Sequence, residues 1–119
     1  MDSPRYRKLK VWITAHENAL EAIKLLDLFD KKYQSVGKQF LAAITSISAN
    51  IAEGSGGYQD KEFVRFLNIA LRSAFEVDNW LQLIKDAKII TMTSRLEKME
   101  SSNLEVIRML VKLIRSQQK

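Results

Sequence analysis

A single proline, Pro4, and four glycines, Gly37, Gly54, Gly56 and Gly57, are almost the only punctuation in a chain of 119 residues. Proline fixes φ and removes a donor, and glycine reaches backbone conformations closed to other residues, so strands and tight turns are usually marked by them. Their scarcity predicts long helices, and the apolar residues recur at the matching spacing. From near Leu9, after the capping and first-turn signals of Asp2, Ser3 and Pro4, the residues Trp12, Ala15, Ala19, Ala22, Leu26, Phe29 and Tyr33 step by three and four.

A second helix is expected from Lys38 to Glu53, with Phe40, Ala43, Ile44, Ile47 and Ile51 on one side and Gly54 stopping it as a left-handed residue. Asp60 is expected to cap a third, which carries Phe63, Leu67, Ala70, Ala74, Val77, Leu81 and Ile84 and ends near Ala87. Thr91 or Thr93 should open the fourth, with Leu96, Met99, Asn103, Val106, Leu110 and Leu113 as its seam. Four such seams in one domain over residues 1–119 predict an all-α fold, an antiparallel up-down four-helix bundle. Apolar residues beside the seams, Ile69, Trp80 and Leu83 on the third helix and Ile107, Val111 and Ile114 on the fourth, suit either a wide globular stripe or self-association.

The chain has no cysteine, which removes disulfides, thiolate nucleophiles and thiolate metal sites. MDSPRYRKLKVW has no apolar signal core and every apolar run is broken by charge, so a cytoplasmic protein with no membrane contact is expected. A formal net charge of +5 allows an acidic partner or serves solubility. The cations have an order: Lys61, Arg65 and Arg72, with Asn68, share one face of the third helix, and Arg108, Lys112, Arg115 and Lys119 share one face of the fourth. Arg5, Arg7, Lys8 and Lys10 form a further basic cluster. Such stripes match phosphate contact with RNA or DNA, or else a solvated face paired with Asp60, Glu62, Glu76 and Glu105.

No catalytic or metal centre is expected, and no cofactor. A di-iron bundle needs inward glutamates and two Glu-x-x-His pairs, whereas His16 is the only histidine and no glutamate stands three residues before it. The glycines after Glu53 follow a helix rather than a strand and lack the Gly-Lys-Ser or Gly-Lys-Thr of a Walker loop, so they read as a helix corner. Ser46, Asn50 and Glu53 fall on one helix face beside the Ile47 and Ile51 seam and, with Gly54, form a structural motif expected to meet a neighbouring helix. Glu53, an acid in a last helical turn, should be compensated by a cation or by amides.

The phrases KVWITA at Lys10 to Ala15, SISANIAEG at Ser46 to Gly54, and EFVRFLNIA at Glu62 to Ala70 with Ser73 and Glu76 beyond it resemble the four-helix-bundle family typified by proteins encoded in 23S rRNA intervening sequences. The resemblance covers essentially the whole chain. It implies a homopentameric barrel, and through related accessory variability determinants of diversity-generating retroelements it implies association with nucleic acid and with a protein partner such as a reverse transcriptase. A protein-interaction scaffold without nucleic-acid contact is the alternative. The chain departs from the family in lacking a basic pair after Gln39 and basic residues after Gly57. It also has Lys88 where a glycine often ends the third helix, so that Lys88 must turn left-handed or another cap must serve.

Overall fold

The computed structural model describes residues 3–57 and 59–118, so the expectations placed on Asp2, Tyr58 and Lys119 lie outside the described residues. Among those described there are four α-helices and no strand: α1 at Lys10–Leu25, α2 at Gln34–Ser55, α3 at Asp60–Asp86 and α4 at Thr93–Gln117. Short 3₁₀ turns occupy Arg5–Lys8, Leu26–Leu28 and Lys31–Tyr33. Each helix packs on its neighbours in sequence and α1 closes on α4, with α2 against α3 the most extensive contact.

The predicted seams are the core. Phe40, Ile44, Ile47 and Ile51 of α2 meet Leu67, Ala70, Ala74, Val77, Leu81 and Ile84 of α3, and Leu96, Met99, Val106 and Leu110 of α4, all essentially without solvent contact. Each large aliphatic or aromatic side chain removed from water in this way stabilises by about 1.5–3 kcal/mol. On α4 the seam ends at Ile114, which is buried, while Leu113 is only half-buried.

The helix ends depart from expectation in physically instructive ways. The first seam does not continue to Tyr33: α1 stops at Leu25, and Phe29 takes an extended conformation. That excursion lays the Phe29 ring against Gly37, where a Cβ would approach it to 3.2 Å. α2 then starts at Gln34, ahead of Lys38. Nor does Gly54 turn left-handed, since it lies buried inside α2 and no described glycine has positive φ. A Cβ there would stand 2.5 Å from Phe66 Cβ, so this glycine lets α2 and α3 approach closely. Asp60 is the first residue of α3 rather than its cap, a place taken by Gln59 without a side-chain bond. Likewise Met92 precedes α4, and Thr93 is its first residue.

Lys88 does adopt left-handed backbone, φ 55°. Its amide bonds the Lys85 carbonyl at 3.1 Å and the Ile89 amide bonds the Ile84 carbonyl at 3.0 Å, the reciprocal pair that closes a helix when the chain reverses.

Candidate nucleic-acid interface

Side-chain hydrogen bonds fix the relative height of the helices. Asn18 Nδ2 of α1 donates to the Met99 carbonyl of α4 at 3.2 Å, Asn103 Nδ2 of α4 donates to the Ala74 carbonyl of α3 at 2.9 Å, and Ser46 Oγ of α2 lies 3.0 Å from Ser73 Oγ of α3. Residues 18, 46, 73 and 103 therefore mark the middle of the bundle. Because consecutive helices run oppositely, the start of α1, the end of α2, the start of α3 and the end of α4 share one half.

That half is basic. Among the described residues it carries Arg5, Arg7, Lys8, Lys10, Lys61, Arg65, Arg72, Arg108, Lys112 and Arg115 against Glu17, Glu53, Asp60, Glu62 and Glu105. The other half holds eight basic and eight acidic residues, so the formal net charge of +5 resides at one end. Up-down topology thus gathers three clusters that are far apart in sequence.

Pairing sharpens the contrast. The ion pairs among the described residues, Arg95 with Glu21, Lys24 with Glu21 and Lys85 with Glu100, all lie in the neutral half. The hydrogen bond from the Arg95 guanidinium at 2.7 Å holds the Glu21 carboxyl below its ordinary range, outweighing the opposing effect of burial. Bonds from Lys85 and Gln82 do the same for Glu100, and Glu100 in turn raises Lys85. In the basic half Lys61, Arg65, Arg72, Arg108, Lys112 and Arg115 are all exposed and take part in none of these pairs. Asp60, Glu62, Glu76 and Glu105 do not neutralise them among the described residues, and Glu76 instead accepts a bond from Trp80 Nε1 at 3.0 Å.

Three of the arginines are braced by rings: the Arg65 guanidinium carbon sits 4.5 Å from the centre of Phe66, that of Arg5 5.0 Å from the centre of Phe63, and that of Arg7 6.0 Å from the centre of Tyr6. Such stacking orients a guanidinium while leaving its edge N–H groups outward. On α4, Arg108, Lys112 and Arg115 border an open depression of about 600 Å³ that also contacts Ile107, Val111 and Ser116. A second depression of about 290 Å³ lies between the start of α1 and the end of α4, lined by Leu9, Lys10, Val11, Met109, Lys112, Leu113 and Ser116. Sequence pattern placed the α3 and α4 cations on single faces, with Ile107 and Val111 beside those of α4, but did not reveal the second depression, which forms between the start of α1 and the end of α4.

The Ser46, Asn50, Glu53 and Gly54 motif divides. Asn50 Nδ2 donates to the Ser46 carbonyl at 2.8 Å and to Ser46 Oγ at 2.9 Å, linking it through Ser46 to Ser73 of α3. Glu53 is exposed and has neither the cation nor the amide partner expected for it among the described residues. Among the described residues no group of three or more His, Asp or Glu side chains is placed to hold a metal ion. No helix among them is long and apolar enough to cross a membrane.

Fold and charge together define a small helical-bundle protein distinguished by a polarised surface rather than by an enclosed cleft. The chain belongs to the 23S rRNA-intervening sequence protein family, which residues 7–112 match. It is similar to a crystal structure from Bacteroides thetaiotaomicron described as a protein of unknown function from the S23 ribosomal protein family. The identity is 30%, the TM-score is 0.81, and the match covers 87% of this chain and 97% of that one. No curated protein matches the chain.

Proposed function

We propose that this protein is a non-enzymatic cytoplasmic accessory factor that assembles into a ring and presents its basic half to nucleic acid. The separation of two kinds of surface along one bundle carries this reading. Of the eight large apolar side chains left exposed among the described residues, six, Leu20, Ile23, Leu28, Phe75, Leu83 and Met92, belong to the neutral half, Leu104 stands one residue beyond its boundary, and Ile13 alone lies well inside the basic half. Chains can therefore associate there without bringing the cationic ends into contact. Leu20 and Ile23 lie on α1 with Leu28 in the turn after it, whereas Phe75 and Leu83 lie on α3 with Met92 just before α4, and two unlike patches favour head-to-tail contacts, which form rings where the rotation closes. The resemblance in sequence supports five chains in the ring. Phosphate contact by the basic half supplies affinity without reading bases.

Light scattering on the size-separated protein at micromolar concentration should report about five chains per particle, against the single chain of a monomer. Anisotropy with unrelated RNA and DNA oligomers should show salt-sensitive binding that weakens in Arg65→Ala/Arg72→Ala and in Arg108→Ala/Lys112→Ala/Arg115→Ala while both variants remain assembled. If wild type binds neither at low salt, the nucleic-acid reading fails. The exposed Phe75, the most accessible large apolar side chain among the described residues at 59%, then favours docking of a protein partner, such as a reverse transcriptase.

A further inference from the structure

We infer that the basic half takes single-stranded nucleic acid, the bases lying on the apolar floors of the two α4 depressions and the phosphates on their cationic rims. This rests on the nucleic-acid reading above and goes further by naming the strand state. The two depressions share Lys112 and Ser116, so they form one track from the outer face of α4 into the groove beside α1. Along it, cations alternate with aliphatic surface: Arg108, Lys112 and Arg115 stand about 4.5–6 Å apart in helix rise, with Val111 between them and Lys10 across the groove.

A duplex cannot use such a surface well. Its base faces are stacked inside, so it would set phosphates against Val111 and Leu113, desolvating charge over an apolar floor. An unpaired strand offers both chemistries in turn, a base face for the aliphatic surface and a phosphate for each cation, the combination by which strands are held without base-edge recognition. The floors are aliphatic rather than aromatic, so a base gains apolar burial on them, which every base face can supply. The α3 stripe has no such floor and fits phosphate contact alone.

The test compares three labelled probes on the full-length protein at low salt: oligothymidine of about 12 nucleotides, an abasic strand of the same length, and a duplex with the same total number of phosphates. Oligothymidine should bind at least roughly fivefold tighter than the abasic strand, the gain from removing about 40 Å² of apolar base face from water, and tighter than the duplex. Val111→Gln, which changes a half-buried residue at the rim of the core, should shrink the gap between thymidine and abasic strands to under about twofold while the particle size by light scattering stays unchanged. Equal binding of thymidine and abasic strands, tighter binding of the duplex, or a gap that survives both Val111→Gln and Ile107→Gln overturns the single-strand inference and leaves the phosphate reading standing. Failure of all three probes to bind removes both.

Discussion

Gly54→Ala sets two effects of opposite sign against each other at one buried position. Gly54 is the penultimate residue of α2, in helical backbone, so helix propensity alone predicts that alanine stabilises by up to about 1 kcal/mol. The added Cβ would lie 2.5 Å from Phe66 Cβ, and 3.2 Å from both Phe66 Cγ and Phe63 Cδ1. Carbon atoms settle about 3.5–4.0 Å apart, so α2 and α3, the most extensively packed pair of helices, must separate by about 1 Å at this contact. Rotation of a side chain cannot relieve the closest contact, because the Cβ of Phe66 is fixed by its backbone. Overpacking of this kind costs about 1–3 kcal/mol, and the rigid contact argues for the upper end. The net expectation is destabilisation by about 2 kcal/mol, a fall of roughly 8 °C in Tm for a chain of this size. Urea denaturation followed by circular dichroism, at one fixed protein concentration because association shifts apparent stability, measures it. Gly56→Ala is the internal comparison: there the new Cβ meets only the Glu53 carbonyl at 3.5 Å, and stability should stay within about 0.5 kcal/mol of wild type. A Gly54→Ala protein as stable as wild type, or more so, would refute the close-approach reading.

Lys88→Gly should stabilise by about 1 kcal/mol in the same assay, since it removes the Cβ clash of left-handed backbone while keeping both terminal hydrogen bonds. Glu21 and Glu100 are held below their ordinary value of 4.5, so their pairing stabilises the fold fully above that pH and is lost as pH falls through the lowered folded values. Glu100→Gln should accordingly lose less Tm than wild type on acidification from neutral pH; an identical acid profile would contradict the sign. Asn50→Ala should cost about 1 kcal/mol by breaking the link to Ser46 and so to Ser73. Glu53→Ala, at an exposed site, should change urea stability by less than about 0.5 kcal/mol.

The seams of α3 and α4 were legible in sequence because long uninterrupted helices hold one periodicity, and burial must follow it. The ends were less so. At Leu26, Phe29 and Tyr33 the spacing continues after the helix has stopped, since 3₁₀ turns that fold back on the core also bury every third or fourth residue. Gly54 was misread for a related reason: a glycine at a helix terminus and a glycine at a close helix contact have the same local sequence, and only Phe66, twelve residues on, distinguishes them. Asn18, buried and bonded across to α4, gave no sign in the apolar pattern. Among the candidate interface residues, periodicity put the α3 and α4 cations on their faces. The gathering of Lys10 with Lys112 depends on the antiparallel register of α1 and α4, which single-helix patterns do not contain.

The uneven distribution of charge makes each bundle an electric dipole, its positive end at the start of α3 and the end of α4. Rotation about a single symmetry axis leaves the component of a dipole along that axis unchanged, so cyclic assembly adds the contributions of all its chains. Perpendicular two-fold axes, as in dihedral assemblies, would cancel them. Where the bundles tilt toward the axis, a cyclic particle of the kind proposed would therefore have two chemically different faces and would meet a polyanion by one of them. The opposite face of that particle, with its charges balanced, would be left open to a second contact of another kind.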